Sequence, residues 1–149
     1  MKNGNKKIES LPHSDDAEQA LLGCMINGGA REHEIAIAWV REDNAFYNKD
    51  NKLIWKAIKS LLGEQVKIDF VTLNNKIKDI NNESMGYYIT GLVESVPTVA
   101  NVEQYARIVW ERHIQRETAK SAHSLVNASY EDYTKVGTIL EKHNKLINE

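Results

Sequence analysis

Residues 101–125, NVEQYARIVWERHIQRETAKSAHSL, decide the fold. The side chain of Asn101 suits an N-cap, and Gln104 stands three residues on as the reciprocal half of a capping box. No Pro or Gly follows until Gly137, so nothing local stops a helix for several turns. Apolar residues recur at Val102, Tyr105, Ala106, Val109 and Ile114, then at Ala119, Ala122 and Val126, which is a helical period and not the alternation of a strand. The first half is apolar enough to pack on a core, whereas the second thins into charge and calls for a partner.

Working outward, the rest of the chain is punctuated in the same way. Its 8 Gly and 2 Pro are few for 149 residues and sit between periodic segments, which predicts an all-α protein. Ser14 or Asp15 caps a first helix whose apolar face is Ala17, Ala20, Leu21, Cys24 and Met25, with Glu18 as the box partner of Asp15 and Gly28-Gly29 as the stop. A second helix over 30–41 turns Ile35, Ala38 and Trp39 inward. After a turn carrying Phe46 and Tyr47 comes the cleanest amphipathic stripe, Leu53, Ile54, Ala57, Ile58, Leu61 and Leu62, with Gly63 expected as a left-handed stop. Asp69 caps a short helix through Leu73, Ile77 and Ile80, and another helix over 85–93 offers Tyr88, Ile89, Leu92 and Val93 for burial. Val96-Pro97-Thr98 breaks that helix and leads into the long one.

Beyond Val126 the polar run NASYED reads as a tight connection, after which Thr134 caps a returning helix with Val136, Ile139, Leu140, His143, Leu146 and Ile147 on one side. That stripe is too short to be stable alone in water. Paired with the long helix it forms a hairpin whose apolar face one hairpin cannot cover, so a dimer is expected, with Trp110, Ile114 and Val126 adding to the interface. The expected organisation is a mobile arm over 1–10, a globular helical bundle over 11–100 and a C-terminal helical hairpin over 101–149.

Composition narrows the function. A formal charge of -2 provides no global field for nucleic acid. The single cysteine, Cys24, excludes an internal disulfide and suits a reducing, cytoplasmic setting, and no apolar run is long enough to span a membrane. His13, His33, His113, His123 and His143 include no pair at i, i+3 or i, i+4, so no metal site is expected. Asp15, Asp16 and Glu18 are explained by capping and the helix dipole before acid–base chemistry need be invoked. No G-x-x-x-x-G-K-[ST] loop occurs, so no nucleotide is held by that route. No catalytic constellation and no cofactor are therefore expected. Arg112, Arg116 and Lys120 form a basic ridge that needs either acids opposite, from Glu131, Asp132 or Glu141, or DNA phosphate. Without net positive charge or interleaved aromatics, direct DNA binding is expected to be weak or absent.

LPHSDDAEQALLG, FY followed by LIWKAIKSLL, KIDFVTL, and YYITGLVESVPTVANVEQYARIVWERHIQRE together resemble the N-terminal domain of DnaB-type replicative DNA helicases. The resemblance implies a helical subdomain and a hairpin that pairs with another subunit's hairpin to build a collar on a hexameric ring. It also implies a docking surface for the C-terminal domain of a DnaG-type primase, with Asp16, Glu18, Tyr88, Ala119 and Leu125 as candidates. The helicase motor of the family would lie beyond a linker after Glu149, leaving this chain non-catalytic on its own. Two other readings remain open: a stand-alone regulator that mimics the collar to capture primase or a helicase ring, and a DNA-binding module using the basic ridge.

Overall fold

A computed structural model describes residues 11–96, 98–131 and 133–148, and the side chain of Thr134 is not among the described parts. The expected arm over 1–10, the break at Pro97 and the acid at Asp132 lie outside the described residues. Among these residues the fold is all helical, with α1 at Asp15–Asn27, α2 at Ala30–Trp39, α3 at Lys49–Gly63, α4 at Phe70–Asn81, α5 at Gly86–Glu94, α6 at Val102–Glu131 and α7 at Tyr133–Ile147. A 3-10 turn at Asp43–Ala45 leads into α3. No described helix is long and apolar enough to cross a membrane. Two compact units divide between Glu111 and Arg112: Ser14–Glu111 is one, and Arg112–Glu149 with the segment ending at His13 is the other.

In the first unit α3 is the amphipathic centre. Ile54, Trp55, Ala57, Ile58 and Leu61 are buried, and the core continues through Leu21, Leu22 and Met25 of α1, Leu73 and Ile77 of α4, Ile89 and Leu92 of α5, and Val102, Ala106 and Val109 of α6. Phe46 and Trp55 stack at 5.0 Å between ring centroids. Two segments approach closely at Gly23, where an added Cβ would lie 2.7 Å from the Leu92 carbonyl oxygen and 2.4 Å from Val96 Cγ2. Only the absence of a side chain lets α1 and α5 approach so closely.

Several expectations about helix ends and faces are corrected. Ser14 caps α1, its Oγ accepting from the Ala17 amide at 3.1 Å, and Glu18 makes no box with Asp15 because its carboxylate is engaged elsewhere in the core. Gly63 stays inside α3; the left-handed residue is Gln65, at φ 61°. The Gln65 amide donates to the Leu62 carbonyl and the Val66 amide to the Leu61 carbonyl, a Schellman closure made without glycine. In α2 Ile35 and Trp39 pack half-buried against the core as expected, but the fully buried residue is Ala36, whereas Ala38 is exposed. Asp69 caps α4 as expected, its Oδ1 accepting from the Thr72 amide at 2.9 Å while Thr72 Oγ1 accepts from the Asp69 amide at 3.0 Å.

In the second unit α6 continues through residues 127–131, which were expected to form a connection. That run is polar but contains neither Gly nor Pro, Ala128 is 4% exposed, and Ser129 Oγ donates to the Val126 carbonyl at 2.7 Å without ending the helix. Helix α7 already includes position 134, so Thr134 is not its cap. Helices α6 and α7 form an antiparallel hairpin: His143 Nδ1 pairs with Ser121 Oγ at 3.0 Å, and one groove is lined by Glu117, Lys120, Ser121 and Ser124 on α6 and by Ile139, Lys142, Lys145 and Leu146 on α7.

Candidate interaction surfaces

The most specific polar arrangement in the first unit is built around Glu18. This residue is 1% exposed. Its Oε2 accepts from the Tyr47 amide at 2.7 Å, and its Oε1 accepts from Asn51 Nδ2 at 3.0 Å and from the Asn48 amide at 3.3 Å. Asn48 in turn caps α3, its Oδ1 accepting from the Asp50 and Asn51 amides. The relay continues outward: the Tyr88 hydroxyl donates to Asn51 Oδ1 at 2.5 Å, and Gln19 Nε2 donates to the Tyr88 hydroxyl at 3.4 Å. One buried carboxylate thus ties α1 to the turn before α3, and through Asn51 to α5. Burying a charge is tolerable because three donors meet it.

Burial is the main cause that holds the Tyr88 phenol above its ordinary pKa, with the charges of Asp50, Asp15 and Glu18 adding to it. Tyr88 is half-buried, Asp15 and Asp50 are exposed within electrostatic reach of its hydroxyl, and Asp16 is exposed on α1. Of the docking candidates in this unit, Glu18 and Tyr88 are therefore brought into one network. Asp16 and the edge of Tyr88 reach solvent; Glu18 does not, and it acts inside the fold. Asn51, which joins the two, was missed because an Asn in a helix reads as a surface residue.

The candidates in the hairpin unit sort differently. Ala119 and Val126 are exposed and Leu125 is half-buried. Ile114, Val136, Ile139, His143 and Leu146 are half-buried, while Leu140 and Ile147 remain 42% and 56% exposed. Trp110 belongs to the other unit, where it is half-buried against the core with the Arg41 guanidinium 5.3 Å above its ring. The basic ridge is not a ridge. Arg116 is 3% exposed and donates to the Pro12 carbonyl at 3.0 Å; Lys120 pairs with Glu117 at 3.4 Å, and Arg112 reaches Gln115 at 3.5 Å. The acids expected opposite the ridge, Glu131 and Glu141, are not partners in these bonds. Among the described residues no group of three His, Cys, Asp or Glu could hold a metal ion. Cys24 is buried, and its thiol is pushed up to about 11, first by burial and then by the charge of Glu32.

The chain matches the family model described as the DnaB-like helicase N terminal domain over residues 10–111. It is 31% identical over 134 residues to the replicative DNA helicase DnaB of Buchnera aphidicola, covering 88% of this chain and 28% of that protein. It is 29% identical over 144 residues to the replicative DNA helicase DnaB of Geobacillus stearothermophilus, covering 93% and 31%. The chain therefore spans under a third of the length of these curated relatives. The crystal structure of the N-terminal domain of DnaB helicase from Mycobacterium tuberculosis superimposes with a TM-score of 0.76 at 25% identity, covering 93% of this chain and 99% of that one. The helical bundle, the long α6 and the returning α7 are those of a chain that belongs to the DnaB-like helicase N-terminal domain family.

Proposed function

We propose that this chain is the non-catalytic collar domain of a replicative DNA helicase, acting in the cytoplasm. In this reading it pairs with a second copy through the hairpin, within a hexameric ring, and docks the C-terminal domain of a DnaG-type primase. The observation that carries the pairing is the exposure of Leu140 and Ile147, at 42% and 56%, on the apolar side of α7. Large apolar side chains at helical spacing on a solvent face mark an association surface. Family membership supports the collar role. The exposure of Asp16 on α1 and the half-exposure of Tyr88 on α5 support docking on the first unit, and Ala119 and Leu125 are the corresponding candidates on the hairpin. Burial of Arg116 supports a domain that does not rely on direct DNA contact.

Sedimentation velocity on the chain tests the pairing. The wild type is expected to sediment as a dimer or larger species at micromolar concentration, and Leu140→Glu with Ile147→Glu as a monomer of unchanged helicity. A strictly monomeric wild type refutes it. Binding of the primase C-terminal domain, measured in parallel, is expected to weaken on Asp16→Lys or Tyr88→Ala; wild-type affinity in both removes the docking surface from the first unit.

A further inference from the structure

The two sides of the hairpin differ in chemistry. With about 100° of turn per residue, Leu140 and Ile147 rotate to one side of the line through Ile139 and Leu146, and Lys142 and Lys145 rotate to the other. On the lysine side α6 and α7 enclose a groove of about 670 Å³, into which Lys120, Lys142 and Lys145 project beside Ser124, with Ile139 and Leu146 as its apolar lining. Glu117 lies at the same groove and pairs with Lys120 at 3.4 Å. Neither Lys142 nor Lys145 has an ion-pair partner among the described residues. The groove is thus cationic, with half-buried apolar residues and hydroxyls between the charges. Because it faces away from Leu140 and Ile147, a second copy seated on the apolar side leaves it open.

We propose that this groove is a docking site for an acidic amphipathic helix of a partner protein. Lys142 and Lys145 lie one turn apart on α7, so carboxylates spaced i, i+3 or i, i+4 on a helix laid along the groove meet them in register. Lys120 closes the opposite wall. An apolar residue on the same face of that helix covers Ile139 and Leu146. A nucleic-acid backbone would use the three cations but leave the apolar lining in water, and a chain of net charge -2 provides no long-range attraction for it.

The test uses the whole chain and a fluorescently labelled synthetic helix carrying Glu at i, i+3 and i+4 around a Leu stripe, read by fluorescence anisotropy. A Lys-for-Glu version of the peptide and a single-stranded oligonucleotide are run alongside. The acidic helix is expected to bind and the basic one not. Lys142→Ala with Lys145→Ala is expected to weaken binding about tenfold, which corresponds to about 1.4 kcal/mol. Lys120→Ala has a smaller effect because that lysine already shares its charge with Glu117, and Leu146→Ala weakens binding without a change in charge. Lys56→Ala with Lys78→Ala removes the same charge from the other unit and leaves affinity unchanged. Leu140→Glu also leaves it unchanged, which separates this groove from the pairing face. The proposal is overturned if the acidic helix does not bind, or if the Lys56/Lys78 variant loses as much affinity as the groove variant. It is likewise overturned if the oligonucleotide displaces the peptide and is itself lost on changing Lys142 and Lys145.

Discussion

Replacing Glu18 by Ala removes a carboxylate that is 1% exposed and deletes the acceptor of the Tyr47 amide at 2.7 Å, of Asn51 Nδ2 at 3.0 Å and of the Asn48 amide at 3.3 Å. A buried donor left unpaired costs about 1–3 kcal/mol. Water entering the space vacated by the side chain recovers part of this for the longest and least enclosed of the three bonds. The net loss is expected to be about 3–4 kcal/mol, a large share of the roughly 5–15 kcal/mol that holds a domain together. Glu18→Gln keeps the shape but faces one donor with another donor, and is expected to cost about 2–3 kcal/mol. Asp16→Ala, two residues away and exposed, removes only a favourable charge near the helix end and costs no more than about 1 kcal/mol. Urea unfolding followed by tryptophan fluorescence is the assay, since Trp55 stacks on Phe46 beside the affected turn and its Nε1 donates to Asp43 Oδ1 at 3.0 Å. A loss below about 1 kcal/mol for Glu18→Ala, with native fluorescence retained, refutes the claim that this carboxylate organises the corner.

Other outcomes follow from the same structure. Gly23→Ala places a methyl 2.7 Å from the Leu92 carbonyl oxygen and is expected to destabilise the first unit by about 1–3 kcal/mol in the same unfolding experiment; an unchanged midpoint would show that α1 and α5 can separate freely. Cys24 is buried with its pKa raised to about 11, so a thiol reagent at pH 8 is expected to label it only on unfolding, and rapid labelling of the native chain contradicts the burial. That shift favours the neutral thiol in the folded state, so its contribution to stability is complete below the ordinary thiol value of 9.0 and declines as pH rises towards about 11. Tyr88, raised chiefly by burial, acts in the same direction on the alkaline side. On the acid side, Asp69, Glu64 and Glu32 are held below their ordinary values chiefly by hydrogen bonds from the Thr72 amide, the Lys76 ammonium and the Gly29 amide. Their contribution is present above the ordinary carboxylate range and is lost as pH falls through the depressed values. Asp69→Asn is therefore expected to flatten the acid limb of a stability–pH curve, and an unaltered limb counts against the cap.

The amino-acid sequence alone determined which segments are helices and which face of most of them is buried. Apolar spacing placed Ile54, Ala57, Ile58 and Leu61 on one side of α3, and Asp69 announced α4 because a capping box is made by residues three apart. These are local interactions, written in neighbouring positions. Where spacing is weak it misled: polar and apolar residues alternate all round α2, so Ala36 rather than Ala38 was chosen by what packs against it. Polar side chains were decided only by the tertiary structure. Glu18 has the composition of a first-turn acid, yet its partners are 29 to 33 residues away at the start of α3. Arg116 looks like one member of a basic ridge, yet it binds the carbonyl of Pro12, 104 residues earlier. A charged group is satisfied by whichever donor or acceptor the fold brings within hydrogen-bond reach, and burial makes that choice binding because the unpaired alternative is so costly. The same holds for Lys120, Lys142 and Lys145, which share a groove only because α7 returns antiparallel along α6.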